Sequence, residues 1–242
     1  MTQYPELKQI IDRAGSIVFF GGAGVSTGSG IPDFRGSGGL YTTESGLALA
    51  PEELLHHGTL TRHPEMFFEY YKKNMVYPDA KPNAAHKALA RLEARKKRVA
   101  VITQNIDGLH QLAGSKNVIE LHGSVHRNYC TSCGKEHTLD HVMSSDGVPR
   151  CTVCGAIVRP DVVLYGEGLD DTALSTASRL ISTADVVIVG GTSLTVNPAA
   201  ALISYFSGKH LIILNKTKTP YDPWAEFLIR EPIEEVLADV IG

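Results

Sequence analysis

Six short runs of apolar, often β-branched residues constrain the fold of this chain more than any other feature. They lie at residues 16–20, 99–103, 118–121, 162–165, 185–189 and 210–214. Continuous apolar runs of this length are typical of strands that are covered on both faces, as in a parallel sheet. Helical patterns lie between several of the runs, at residues 5–14, 83–95, 171–181, 198–206 and 232–241. Strands that alternate with helices predict an α/β fold with a doubly wound parallel sheet.

Two stretches break this alternation. Residues 36–78 read as helices and loops without a strong strand, and residues 123–159 contain all four cysteines and little helical periodicity. Both are too short and too polar to form independent cores, so we expect them to pack together into a smaller domain above the edge of the sheet. The predicted main domain then comprises residues 1–36, 76–122 and 160–242, and the predicted small domain comprises residues 37–75 and 123–159.

Size and composition exclude several classes of protein. A chain of 242 residues with 43% hydrophobic residues can bury a sizeable core, which excludes disorder as its main state. Its net charge of −3 argues against a dedicated nucleic-acid binder. No apolar run reaches the roughly 18 residues of a membrane span, and the first residues lack the order of a signal peptide. We therefore expect a cytoplasmic protein.

The four cysteines form two pairs with the spacing of a metal site. Cys130 and Cys133 make one C-x-x-C pair, Cys151 and Cys154 make the second, and 17 residues separate the pairs. This spacing predicts a zinc ribbon in which two knuckles hold one tetrahedral Zn²⁺. Four thiolates leave no open coordination position, so the ion is expected to be structural. A redox pair or two disulfides is the alternative.

A glycine-rich turn follows the first predicted strand. Gly21, Gly22, Gly24 and Gly28 lie directly after the run that ends at Phe20. Glycines at the carboxyl edge of a parallel sheet let the backbone approach a pyrophosphate, and the N-terminus of a following helix supplies N–H donors. The spacing departs from G-x-G-x-x-G, and no clear acidic residue closes a second strand. The glycines alone leave dinucleotide binding and a plain tight βα turn about equally supported.

Further motifs carry a family resemblance that covers nearly the whole chain. The segments, in single-letter code, are GAGVS (22–26), SGIPDFRG (29–36), TQNIDGLH (103–110), LHG (121–123), RPDVVLYGE (159–167) and GTSL (191–194). In this order they resemble the sirtuins, which are NAD-dependent protein deacylases. Small departures are Gly21, where threonine is usual, and Tyr165, where phenylalanine is common.

The resemblance implies a Rossmann-like NAD domain, a small domain with zinc ribbon and helices, and a cleft between them. Gln104, Asn105, Ile106 and Asp107 follow a strand end, where Asp107 would bind the nicotinamide carboxamide and Asn105 would orient the ribose or a water. An N-cap role for Asn105 or Asp107 is the plainer reading. The other residues implied to bind NAD are Ala23, Thr27, Phe34, Arg35, His122, Thr192, Ser193, Asn215 and Ile233.

Composition does not single out a general base among ten histidines. The resemblance favours His122, between a strand end and the cysteine segment, with Asn105 as a second catalytic residue. His110 and His126 are the competitors. Histidine suits this task because its ordinary pKa, about 6.5, lies near working pH.

The same resemblance implies the substrate site and the reaction. Val163 and Tyr165 match the family's acyl-lysine tunnel, and Gly166, Glu167 and Val196 would pair with the substrate backbone as an added strand. The acyl oxygen attacks the anomeric carbon of NAD, nicotinamide leaves, and His122 takes a proton from a ribose hydroxyl. The products are free lysine, O-acetyl-ADP-ribose and nicotinamide.

The helical insertion predicts which acyl groups are accepted. Sirtuins that prefer acidic acyl groups use a Tyr-x-x-Arg pair, whereas Tyr71 is followed here by Asn74, and Arg62 is the only arginine in residues 36–78. Without a guanidinium partner for a carboxylate, we expect acetyl and other neutral acyl groups. The expected partners are acetyl-lysine proteins or peptides, with neither a membrane nor a nucleic acid. The rival functions are mono-ADP-ribosyl transfer, non-enzymatic NAD sensing and ordinary NAD oxidoreduction.

Overall fold

The computed structural model describes residues 2–34, 39, 49–95 and 98–242. Its main sheet has six strands in the order β3-β2-β1-β7-β8-β9, and every neighbouring pair in it is parallel. Those strands are β1 (Ile17–Gly21), β2 (Val99–Thr103), β3 (Val118–Glu120), β7 (Val186–Gly190), β8 (His210–Leu214) and β9 (Phe227–Ile229).

Helices cover both faces of this sheet because its strands are apolar on both faces. Successive residues of β1 alternate between two cores: Phe19 belongs to one, and Val18 and Phe20 belong to the other. The first core is closed by α1 (Pro5–Arg13), α5 (Ala84–Arg95) and α9 (Ile233–Ile241). The second core is closed by α8 (Asp171–Ser182) and a 3-10 helix, Ala200–Tyr205. The predicted doubly wound parallel sheet is confirmed.

A second, antiparallel sheet of three strands has the order β5-β4-β6. Its strands are β4 (Gly123–Cys130), β5 (Glu136–His137) and β6 (Val158–Val162), and the short helix α7 (Leu139–Ser144) lies between β5 and β6. The described part of the first insertion contains three helices, namely α2 (Pro51–Leu54), α3 (His57–Arg62) and α4 (Pro64–Asn74).

The two insertions share one hydrophobic core, as expected. Phe67, Phe68 and Tyr71 of α4 lie in the same cluster as Val125 and Val158 of the small sheet. Each insertion therefore covers the apolar side chains of the other. The domain boundaries given above stay a prediction.

Two local predictions were wrong, and one strand of the main sheet was not predicted. Residues 162–165 are not a strand of the main sheet: Val162 ends β6, and the residues after it make irregular backbone bonds, such as Val163 N–H to the His122 carbonyl at 3.0 Å. The last parallel strand is instead Phe227–Ile229, whose three residues are too few to show a pattern. Residues 198–206 contain a 3-10 helix where a regular helix was expected. The sequence did not separate the two, because periods of 3.0 and 3.6 residues hardly differ over so short a segment.

Within the described residues, no helix has both the length and the apolar character needed to cross a membrane.

Candidate active site

A cavity of about 980 Å³ opens at the carboxyl edge of the main sheet. The loops after β1, β2, β7 and β8 form one side, and residues of the core shared by the insertions form the other. The predicted site residues that line this cavity are Ala23, Thr27, Phe34, Gln104, Asn105, Ile106, Asp107, His122, Val163, Tyr165, Gly166, Glu167, Thr192, Ser193, Val196, Asn215 and Ile233. Arg35, which was also predicted to bind NAD, lies outside the described residues.

The glycine-rich turn is required by a close backbone approach. The Gly24 N–H donates to the Gly191 carbonyl at 2.8 Å, and a Cβ added to Gly24 would lie 2.8 Å from the Gly191 Cα. Gly191 itself has a φ of 59°, which favours glycine. The chain then makes two 3-10 turns, Ala23–Val25 and Thr27–Ser29, instead of entering an α-helix. The turn leaves an open cradle of backbone against the cavity.

Ser26 connects this turn to the polar loop after β2. Its Oγ donates to Asp107 Oδ2 at 2.6 Å and accepts a bond of 3.1 Å from Asn105 Nδ2. The other oxygen of Asp107 accepts the Leu109 N–H at 2.9 Å, at the start of α6 (Leu109–Leu112). The N-cap of this helix is Gly108, so neither Asn105 nor Asp107 caps it. Asp107 lies in the cavity wall, and its carboxylate is held by donors on both oxygens.

His122 has a defined tautomer. Its Nδ1 lies 2.8 Å from the Gln104 carbonyl oxygen, which can only accept, so Nδ1 carries the proton and Nε2 carries the lone pair. Burial lowers the pKa of His122, although the bond to Gln104 opposes this shift. The ring is therefore neutral near pH 7 and can accept a proton at Nε2.

The two competing histidines are placed differently. His110 is 1% exposed and packs against Phe19 and His86, and burial lowers its pKa to about 3. It does not line the cavity. His126 does line it, but its Nε2 lies 3.0 Å from the Asp107 carbonyl oxygen and donates to it. Both His122 and His126 therefore line the cavity and keep one ring nitrogen as a base, but His126 is exposed whereas His122 is half-buried.

Glu167 holds the loop at the other side of the cavity. Its carboxylate accepts bonds of 2.7 and 2.9 Å from Arg159 and one of 2.9 Å from the Leu164 N–H. These bonds lower the pKa of Glu167 against the opposing effect of burial. Glu167, which was predicted to pair with the substrate backbone, thus also fixes the segment between Leu164 and Glu167 by its side chain.

The apolar part of the cavity reaches into the core of the insertions. Leu55, Tyr71, Ile106 and Val125 line the cavity and also belong to or pack against that core. Asn74 lies beside them, and its Nδ2 donates to the Tyr70 carbonyl at 3.0 Å. No arginine occurs among the described residues that line the cavity, and Arg62 instead donates to the Gly58 carbonyl at 3.2 Å.

The four cysteines form a separate cluster with the geometry of a metal site. Their sulfur atoms all lie within 4.8 Å of one another, with Cys130–Cys154 at 3.4 Å and Cys133–Cys151 at 3.7 Å. A tetrahedral ion with Zn–S bonds of about 2.3 Å separates its sulfurs by about 3.8 Å, so the thiols fit one ion. These separations are too long for disulfides, and the cysteines are free.

Backbone donors prepare two of these thiols as ligands. The N–H groups of Cys133 and Ser132 point at Cys130, and the bond from Cys133 is the main cause that lowers the pKa of Cys130. The N–H groups of Cys154 and Val153 act likewise on Cys151 and lower its pKa to about 7. The cluster can thus hold a metal ion, as the spacing predicted.

Two residues of the cavity network were missed by the sequence reading. Ser26 was seen within its motif but was given no role, and Asn83, which donates to the Val25 carbonyl at 2.7 Å, was not considered. The signal for Ser26 was its position in the glycine-rich turn. Nothing in the sequence places Asn83 against that turn.

Known proteins resemble this chain over nearly its whole length. The Sir2 family model matches residues 22–198. The chain is 56% identical to an NAD-dependent protein deacetylase of Clostridium acetobutylicum over 98% of this chain and 97% of that one. It is 54% identical to an NAD-dependent protein deacetylase of Clostridium perfringens, with the same coverage.

Two solved structures show the same fold. A Sir2 variant with a deacetylated p53 peptide and 3'-O-acetyl ADP-ribose has a TM-score of 0.90 and 40% identity, over 99% of this chain and 97% of that one. A Sir2 homolog in complex with NAD has a TM-score of 0.87 and 39% identity, over 98% and 92%. The chain belongs to the Sir2 family.

Proposed function

We propose that this protein is an NAD-dependent protein lysine deacetylase that transfers the acetyl group to ADP-ribose and releases nicotinamide. The observation that carries the proposal is His122, a neutral imidazole in the cavity wall whose Nε2 is free to take a proton. Relatives of high coverage are NAD-dependent protein deacetylases, which supports the same reaction.

NAD supplies an electrophilic sugar carbon with nicotinamide as its leaving group. The residues that would hold NAD here are those of the glycine-rich turn, the loop after β2 and the strand ends at Thr192, Ser193 and Asn215. The fit is supported by the turn itself, which lines the cavity at Gly22, Gly24 and Gly30 with backbone and no side chains. Asp107, held by Ser26, would accept a hydrogen bond from the carboxamide, and Phe34 and Ile106 would exclude water from the sugar carbon.

The acyl-lysine would enter past Val163 and Tyr165, with its peptide beside Gly166, Glu167 and Val196. The apolar lining accepts a neutral acyl chain and rejects a free ammonium, since an unpaired buried charge is costly. His122 would accept the proton of a ribose hydroxyl at Nε2, and Asn105 would orient the ribose or the water that completes the reaction.

We propose that the cysteine cluster holds one structural Zn²⁺. The fit of four free sulfurs to a single tetrahedral ion supports this proposal, as do the N–H donors to Cys130 and Cys151. Four free thiols also suit a reducing compartment, which supports a cytoplasmic location. The expected partners are acetyl-lysine proteins or peptides.

One assay tests the proposed reaction. Nicotinamide release from NAD is measured with an acetyl-lysine peptide, with the unmodified peptide and without peptide, and the peptide mass is followed. We expect release only with the acetylated peptide, together with loss of one acetyl group. A gain of ADP-ribose would establish the transferase alternative, and NAD binding without release would establish an NAD sensor.

A further inference from the structure

The segment between the two cysteine pairs carries two histidines that stack on each other. His137 ends β5 and His141 lies in α7, and their ring centroids are 4.5 Å apart with planes 29° from parallel. Neither residue belongs to the cavity described above. The two rings thus lie on the segment of 17 residues that separates the cysteine pairs, outside the proposed active site.

His141 holds the second knuckle by its backbone. Its Nε2 donates to the Arg150 carbonyl at 2.9 Å, immediately before Cys151. The His141 carbonyl accepts the Ser145 hydroxyl at 2.6 Å, which ties α7 to the turn that follows it. His141 is thus fixed on both sides, and it offers a rigid face against which His137 packs.

His137 has a polar atom that the protein leaves without a partner. Its Nε2 is buried, and within the described residues no atom lies in hydrogen-bond geometry with it. The backbone of the same strand is fixed, because His137 pairs with Asn128 of β4. A buried ring nitrogen without a partner costs free energy, so such an atom indicates an unfilled interaction.

The neighbour that can fill this interaction is Cys151. The His137 ring stacks on His141, and His141 bonds the carbonyl of Arg150, the residue directly before Cys151. An interaction with His137 also contributes to the lowering of the Cys151 pKa, after the larger effects of the Cys154 and Val153 N–H groups. The backbone N–H donors to Cys151 come from its own knuckle alone. A side-chain donor from β5 would therefore connect the second knuckle to the small sheet.

We propose that His137 is a positioning residue of the metal site, which donates its Nε2–H to the Cys151 thiolate when the ion is bound. The stack on His141 sets the orientation of the His137 ring, and the hydrogen bond stabilises the negative charge of the Cys151 thiolate. Outer-shell donors of this kind typically change metal affinity by about 10–100-fold. The inference rests on the proposed zinc site.

The test compares two substitutions that differ in one hydrogen-bond donor. His137→Phe keeps an aromatic ring for the stack and removes the N–H, whereas His137→Gln places an amide N–H at a similar reach. Zinc affinity is measured by competition with a chromogenic chelator, and zinc release is timed after excess chelator is added. The exposed His63, which lies between α3 and α4, gives the control substitution His63→Phe.

We expect His137→Phe to bind zinc about 10-fold more weakly or worse and to release it faster, with His137→Gln close to wild type. Equal affinity of His137→Phe and wild type would overturn the inference, and so would an equal loss in His137→Gln. Absence of zinc binding in the wild type would instead overturn the zinc site itself.

A measurement on the unmodified protein makes the inference independent of variant folding. The protein is loaded with a spin-half cadmium isotope, and nitrogen NMR reports which ring nitrogen of His137 carries the proton. We expect the proton on Nε2 and a scalar coupling between it and the metal through the sulfur. A proton on Nδ1 alone would contradict the proposal.

Discussion

The Ser26 hydroxyl and the Asp107 carboxylate are joined by a hydrogen bond of 2.6 Å between residues that are 81 positions apart in the chain. This bond connects the turn after β1 with the loop after β2, and it fixes the carboxylate that we expect to bind nicotinamide. A charge-assisted bond of this kind contributes about 1.5–3 kcal/mol.

Substitution Ser26→Ala is expected to reduce kcat/KM for NAD by roughly 10-fold to 100-fold, because Asp107 loses a donor that orients it. Steady-state kinetics at a saturating acetyl-lysine peptide measure the effect. The matched control is Ser29→Ala in the same turn, since the Ser29 hydroxyl is buried without a hydrogen-bond partner among the described residues. Equal losses in both variants would show that the bond to Asp107 has no special role.

Substitution His122→Ala is expected to retain NAD binding and to lose about 10²–10⁴-fold in turnover, since a general base is removed. Calorimetry measures the binding and peptide deacetylation measures the turnover. His126→Ala serves as the comparison because His126 also lines the cavity. Near-normal deacetylation by the His122 variant would refute the assigned role.

The pH dependence of kcat/KM follows from the state of His122. Burial lowers its pKa below the ordinary value of 6.5, so the base is neutral and active above that lowered pKa, and activity falls as the pH drops through it. We therefore expect an acidic limb with a midpoint below 6.5. A midpoint at or above this value, measured with peptide and NAD saturating in turn, would contradict the assignment.

Glu167→Gln is expected to lower the free energy of unfolding at neutral pH by about 1–2 kcal/mol, because it removes the ion pair with Arg159. The loss is modest because this pair is partly exposed, and such a pair contributes less than a fully buried one. The folded-state pKa of Glu167 is lowered, so its contribution is present above the unfolded pKa and is lost as the pH falls through the folded pKa. Urea unfolding should therefore separate the variant from wild type at pH 7 and bring them together in acid. A difference that persists below both pKa values would exclude this explanation.

The acyl preference is tested at Asn74. We expect wild type to favour acetyl-lysine over succinyl-lysine peptides by at least about 10-fold, since no arginine among the described lining residues offers a guanidinium to a buried carboxylate. Asn74→Arg should shift the ratio of the two kcat/KM values toward succinyl-lysine, and Asn74→Gln, which adds length without charge, should not. A succinyl preference of the wild type would show that the inference is wrong.

The sequence predicted the main sheet well because buried parallel strands are continuous apolar runs. The apolar run at 162–165 was assigned to the wrong sheet. Its first residue, Val162, ends β6 and pairs with Gly123 in the small sheet, and this pairing depends on the tertiary structure and not on the local sequence. The three residues of β9 carried too little signal.

The candidate site was recovered from motifs rather than from periodicity. Strand ends predict where polar side chains converge, and the cavity does contain the predicted residues of the loop after β2. Which partner each side chain takes was not predictable: the bond from Ser26 to Asp107 and that from Arg159 to Glu167 depend on long-range packing. The interaction of His137 with Cys151 likewise became visible only in three dimensions.

The two sheets meet at a seam of three residues, Leu121, His122 and Gly123. The Leu121 N–H still donates to Thr103 of the main sheet at 2.9 Å, whereas Gly123 already pairs with Val162 of the small sheet. The imidazole of His122 is therefore anchored to both sheets at once. A chimeric protein that takes its metal-binding half from a relative must be spliced outside this seam, because a join within it would detach the base from one of its two supports.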